Sequence, residues 1–171
     1  MNAAFAAAAL PHLDAAYTLA RWLVREPAAA EDVVQEAMVR ALTYFASYRG
    51  DNPRAWLLRI VRNTAYDRMG AERRRGEQPL DDAEAFADPS PDPEAALQGR
   101  EQRDGLAAAL AALPAELREC VVLREIEELS YRDIARITDV PVGTVMSRLF
   151  RARQMLLRVG RAEEAVKEPR T

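Results

Sequence analysis

At 171 residues the chain has material for one average domain or two small ones, which excludes a large multi-domain enzyme. Aromatic residues are only 6% and glycines only 7, a profile that disfavours sandwiches and barrels, whereas 33 alanines, several in runs such as Ala107 to Ala109, suit helices. A net charge of −3 speaks against a nucleic-acid partner only as an average, because the charge is laid out in blocks.

Arg49 to Arg75 carries eight arginines against Asp51, Asp67 and Glu72. Gly76 to Asp104 carries nine acids against Arg100 and Arg103, and Gly143 to Arg161 carries five arginines and no acid. The expected fold is all-α: two small helical domains joined by a flexible, acidic, Pro-rich linker, the second ending in a helix-turn-helix.

Residues 1–11 are alanine-rich, lack a basic flank and are too short for a signal peptide or a membrane span. They are expected to form a disordered leader. The first domain, residues 12–75, divides into three helices. Leu13 to Arg25 repeats Leu13, Ala16, Tyr17, Ala20 and Val24 at helical spacing and stops before Pro27. Ala30 to Ser47 sets Val34, Ala37, Met38, Ala41, Leu42 and Phe45 on one face, with Glu31, Asp32, Gln35 and Glu36 making an acidic edge on its first turns. A third helix begins at Pro53 and runs to about Ala71.

Residues 76–100 hold a strong acidic bias, four prolines between Gly76 and Gly99, and no sustained apolar period, so they are expected to be a linker. The second domain, residues 101–160, opens with a helix ended by Pro114. Ala115 to Glu128 follows, with Leu117, Val121, Val122 and Ile126 inward. Ser130 and Asp133 form a capping box opening a short helix, Tyr131 to Ile137. After a break at Thr138 to Pro141, a longer helix from Gly143 to about Arg158 buries Val145, Leu149, Ala152 and Leu156 on one stripe. A short capped helix, a tight turn and a longer basic helix make a helix-turn-helix. Residues 161–171 are expected to be a tail.

The opposite face of that last helix shows Thr144, Ser147, Arg148 and Arg151, all able to donate hydrogen bonds to bases or phosphates. A solvated basic face is the plainer account, but the acid-free stretch favours DNA. In the first domain Arg59, Arg62, Asn63, Tyr66 and Arg73 share one helix side, a mixture of guanidinium and aromatic groups that suits unpaired DNA. Trp22 is expected in the core. Trp56 sits at the border of the apolar stripe, structural with a DNA-facing edge.

The single cysteine, Cys120, excludes an internal disulfide and a multi-cysteine zinc site and fits a reducing compartment, the cytoplasm. The lone histidine, His12, gives Cys120 no evident partner for nucleophilic chemistry. Phosphate-loop, dinucleotide, zincin and nucleophile-elbow motifs are absent. No enzyme activity, cofactor, metal or small-molecule substrate is expected.

With these residues in hand, the chain resembles the group IV, extracytoplasmic-function (ECF) sigma factors of bacterial RNA polymerase. Ala28 to Leu42 is similar to the family's region 2.2, Arg49 to Arg75 to its regions 2.3 and 2.4, and Leu113 to Leu157 to its region 4. The resemblance implies that Asp32, Gln35 and Glu36 dock on the β′ clamp of core polymerase, and that the β flap is a second contact. It implies that Arg59, Asn63, Asp67 and Arg68, with Trp56, Arg62 and Tyr66 beside them, melt and hold the −10 element, while the loop Ser47 to Asn52 receives a flipped base. Thr144, Ser147, Arg148 and Arg151 would enter the major groove at the −35 element. Met146 departs from the family, which often has arginine there. An anti-sigma factor is an implied partner, and any membrane contact would run through it. A stand-alone helix-turn-helix regulator is the alternative, but it gives the first domain's basic-aromatic helix no task, and a purely protein-binding adaptor ignores the readout face.

Overall fold

Prolines mark helix starts in this chain: Pro27, Pro53 and Pro93 are each the first residue of a helix, where a missing N–H costs nothing and the fixed φ suits the first turn. The computed structural model describes residues 2–76 and 93–167. The described residues hold eight α-helices and no strand, in agreement with the expected class. In the first domain these are α1 (Ala3–Ala9), α2 (Leu13–Val24), α3 (Pro27–Tyr44) and α4 (Pro53–Arg75). In the second they are α5 (Pro93–Ala112), α6 (Ala115–Val121), α7 (Tyr131–Thr138) and α8 (Val142–Lys167).

The expected disordered leader is instead helical. Asn2 caps α1 by accepting from the Ala4 N–H, and Phe5 and Ala9, one turn apart, are buried where α1 meets α4. Phe5 is 2% exposed, with its ring edge-on to Phe45 at 5.4 Å. A lone apolar residue among alanines is a weak sequence signal, and the decisive partner lies forty residues away.

Helices α2, α3 and α4 pack pairwise around Leu19, Leu23, Val33, Leu57, Leu58 and Val61. The buried stripe of α2 is Ala16, Leu19, Ala20 and Leu23, so Tyr17, expected inward, points to solvent. Trp22 is buried as expected. In α3, Ala37 and Ala41 are buried but Leu42 is 48% exposed. Helix α4 is capped by Asn52, whose side chain accepts from the Ala55 N–H at 3.1 Å. It continues past Ala71 to Arg75 and ends at Gly76 in the left-handed region, with Arg73, Arg74 and Arg75 at the negative end of its dipole.

Of the expected linker, residues 77–92 lie outside the described ones, and 93–100 already belong to α5. After α6 a single π turn spans Val122–Ile126, with the Glu127 N–H reaching the Val122 carbonyl at 3.1 Å. The turn shifts the apolar phase: Leu123 is fully buried and Ile126, expected inward, is 47% exposed. Ser130 caps α7 as expected, accepting from the Asp133 N–H at 3.1 Å. Asp139, left-handed at φ 57°, turns the chain into α8, whose Val145, Leu149 and Ala152 are buried. Helix α8 runs on to Lys167, so the first part of the expected tail is helical, while 168–171 lie outside the described residues.

The two domains touch. Helix α4 lies against α7 and α2 against α6, and the buried apolar residues form one continuous cluster. None of the described helices is long and apolar enough to cross a membrane.

Candidate nucleic-acid interface

Helical spacing places Arg59, Arg62, Asn63 and Tyr66 on one side of α4, and the structure gives them different surroundings. Asn63 is exposed, and the Arg59 side chain is half exposed, with its guanidinium 3.7 Å from Asp139 of the second domain. Arg62 lies 4.1 Å over the Tyr66 ring and holds both oxygens of Glu119, from α6, with Nε and Nη2 at 3.0 and 3.2 Å. Burial, with Glu119 adding to it, pushes the Tyr66 hydroxyl well above its ordinary range.

Trp56 is half-buried in a chain of rings, 4.8 Å from Tyr48 and 6.1 Å from Phe45. Beside it, the loop after α3 opens on a cleft of about 240 Å³, lined by Ser47, Tyr48, Asn52, Trp56, Arg59 and, from α7, Arg136. Asp67 and Arg68 point elsewhere, toward α3. Arg40 reaches Asp67 at 2.9 Å, and Arg68 reaches Asp32 at 3.4 Å and Glu72 at 3.2 Å. The −10 residues that the resemblance implies therefore fall on two sides of α4.

On α3, Asp32, Gln35 and Glu36 are exposed along one edge. Val39, 66% exposed, and Leu42 extend that edge at helical spacing into an apolar continuation that the sequence pattern assigned partly to the core.

On α8 the readout residues also separate. Arg151 is exposed, Thr144 is half-buried, and the exposed Ser147 hydroxyl donates to the Gly143 carbonyl at 3.0 Å. Arg148 turns inward: its side chain is only 18% exposed, 3.8 Å from Glu116, and lies beside Cys120. Burial pushes the Cys120 thiol up to about 11 against the pull of that guanidinium. Met146 and Phe150, 51% and 64% exposed, form a neighbouring apolar strip.

Two charged residues that sequence reasoning missed stand at the domain boundary. Arg118 is 4% exposed and donates to the Leu113 and Ala111 carbonyls at 2.8 and 3.0 Å and to Leu23 of α2 at 3.5 Å. Arg25 of the first domain donates to the same Ala111 carbonyl. Burial, with Arg25 nearby, brings Arg118 down to about 10. Burial raises the Glu119 carboxyl, opposed chiefly by Arg62. Their signal was available: an adjacent arginine and glutamate inside the apolar run from Leu117 to Leu123 need buried partners.

Two family descriptions match this chain: Sigma-70 region 2 over residues 9–75 and Sigma-70, region 4 over residues 103–156. The ECF RNA polymerase sigma-E factor of Escherichia coli (strain K12) is 39% identical over 136 residues, covering 73% of this chain and 70% of that protein. The RNA polymerase sigma-H factor of Pseudomonas aeruginosa is 38% identical over 142 residues, covering 78% and 74%. Among solved structures, the sigma factor RpoE from Bartonella quintana, in complex with the anti-sigma factor NepR, superposes with a TM-score of 0.70 at 30% identity, covering 89% of this chain and 93% of that one. CnrH in complex with the cytosolic domain of CnrY gives 0.67 at 26%, covering 93% and 88%.

Proposed function

Because the chain belongs to the ECF family of RNA polymerase sigma factors, alternative subunits that direct transcription initiation, we propose that its first domain holds the −10 promoter element as a single strand and its second reads the −35 element as a duplex. The observation that carries this division is the exposed Asn63 and half-exposed Arg59 on α4, next to an aromatic-walled cleft, with a separate helix-turn-helix in the other domain. Bases splayed from a duplex stack on aromatic groups while guanidiniums hold the backbone, and sequence tolerance at each ring leaves selectivity to the cleft. In α8, the exposure of Arg151 and Ser147 supports their role in major-groove contact. Each domain has a small footprint. Core polymerase, by fixing their separation, joins two weak contacts into one strong one.

Asp32, Gln35 and Glu36, with Val39 and Leu42 extending their edge, form the surface for the β′ clamp, since an acidic edge repels phosphate and an apolar strip suits a protein. The β flap is the second domain's partner on the polymerase. An anti-sigma factor fits this chain too, as the similar RpoE of Bartonella quintana is in complex with the anti-sigma factor NepR. The protein then works in the cytoplasm, without cofactor or catalytic group of its own. Run-off transcription with core enzyme tests the scheme. A sigma factor needs core and gives an asymmetric footprint, and Asn63→Ala or Arg59→Ala blocks opening even when the −10 segment is pre-melted. A palindromic footprint made without core would favour the stand-alone regulator.

A further inference from the structure

We infer that Met146 and Phe150 of α8 are specificity residues whose apolar ends read the C5-methyl groups of thymines in the −35 duplex. This deepens the assignment of α8 to that duplex and rests on it. Val145, Leu149 and Ala152 bury one side of the helix. Away from that stripe, Val142, Met146 and Phe150 recur at every fourth position and are 41%, 51% and 64% exposed. Ser147 is a helical neighbour of Phe150 at i,i+3 and of Arg151 at i,i+4, so the apolar strip is continuous with the polar residues proposed for the groove. Gly143 lies one turn before Ser147. A Cβ there would meet nothing within 4 Å and its φ is not positive, so neither crowding nor backbone calls for glycine, whereas a surface pressed against the first turn does.

The occupant follows from charge and spacing. Gly143 to Arg161 holds five arginines and no acid, so the strip is framed by charge that attracts a polyanion. Met146 and Phe150 stand about 6 Å apart along the helix axis, close to two base-pair steps of about 3.4 Å each. Base edges in the major groove present hydrogen-bond donors and acceptors, and the thymine methyl is the one apolar group among them. A thioether and a phenyl ring have no donor for guanine, and covering its O6 and N7 without replacing their water is penalised. Against a methyl they gain by burial. An arginine at position 146, common in the family, would instead fork onto guanine, so this one side chain turns the choice from a G·C pair to an A·T pair.

The test uses the full chain with core polymerase, on the promoter selected from a library randomised at −35. Replacing single thymines by deoxyuridine removes the methyl and keeps every hydrogen-bonding group. Binding should weaken about fourfold at each of two positions, the effect of one buried methyl. Met146→Ala should erase that discrimination at one position and Phe150→Ala at the other. Both side chains are exposed, so circular dichroism should show an unchanged fold. Selection repeated with Met146→Arg should replace A·T by G·C at the first position alone, with a preference of about tenfold. A selected element with no A·T pair, indifference to deoxyuridine, or discrimination that survives both alanine variants would overturn the inference. An equal loss of polymerase affinity on every sequence would assign the strip to a protein instead. Footprinting separates the two levels. With −35 protected and no deoxyuridine effect, only the methyl reading fails; an unprotected −35 segment removes the assignment of α8 itself.

Discussion

The guanidinium of Arg62 grips the carboxylate of Glu119 with two hydrogen bonds, 3.0 and 3.2 Å long, across the boundary between the two domains. The glutamate side chain has no solvent exposure and the arginine only 17%. Glu119 also feels Arg148 of α8, so a single carboxylate stands between the helix proposed to hold the −10 strand and the helix proposed to read the −35 duplex. A buried pair of this kind contributes little net stability over an apolar substitute, but breaking one side of it is costly.

Arg62→Ala should therefore destabilise the protein by about 3 to 5 kcal/mol at neutral pH, whereas Arg59→Ala, whose pair is solvent-exposed, should cost under about 1 kcal/mol. The two differ in pH dependence as well. Burial already holds the Glu119 carboxyl above its ordinary value of 4.5, and removing Arg62 removes the chief opposing influence, so the carboxyl climbs further. A carboxyl raised in the folded state costs stability above its folded pKa and returns it as pH falls through that value. Urea unfolding should show the Arg62→Ala deficit shrinking between pH 7 and pH 5. A deficit that grows on acidification would mean that Glu119 is not the group left uncompensated.

Phe5→Ala should cost about 3 to 5 kcal/mol, because the ring is enclosed between α1, α4 and Phe45 and the vacated space is bounded by packed helices. Thermal unfolding of the full chain checks this. A loss under about 1 kcal/mol, the level of a surface substitution, would place α1 outside the folded unit.

Asp32→Arg should weaken binding to core polymerase while leaving the fold intact. Its only described partner, Arg68, is 3.4 Å away on a side-chain pair that is 62% and 33% exposed, which limits the structural loss to under about 1 kcal/mol. Pull-down with core enzyme and a melting curve together separate the effects. Normal core affinity with altered promoter choice would assign this edge to DNA instead.

Local signals carried most of the architecture. The helix start at Pro53, the Ser130 cap and the stripe of Val145, Leu149 and Ala152 were readable because each depends on residues within a turn or two. The misses were nonlocal or phase-shifting. The burial of Phe5 depends on Phe45, the exposure of Ile126 on a π turn that changes the helical phase, and the inward turn of Arg148 on Glu116 and Cys120. The contact between domains was the largest omission. An acidic, proline-rich stretch suggests separation, and nothing in it records that Glu119, Glu127, Asp133 and Asp139 each find a partner on the first domain.

Arg148 and Arg151, alike in the sequence pattern, should behave differently when replaced. Arg151 is exposed on the outer side of α8 and is free to reach a base or a phosphate. If it reads a base, Arg151→Ala should cost about 1 to 3 kcal/mol and relax preference at one −35 position, whereas a phosphate contact would weaken all sequences alike and lower the salt slope by about one. Arg148 is mostly covered and lies beside Glu116 and Cys120, with Glu119 close enough to feel its charge. Arg148→Ala should therefore act first on stability, lowering the unfolding midpoint in urea, and affect −35 binding through the loosened domain. Both variants should spare opening of a promoter whose −10 segment is already melted, since that step is the one proposed for α4. Circular dichroism at the assay temperature confirms that each variant is folded. A folded Arg148→Ala protein of normal stability that loses discrimination at one −35 position would return that residue to the readout face.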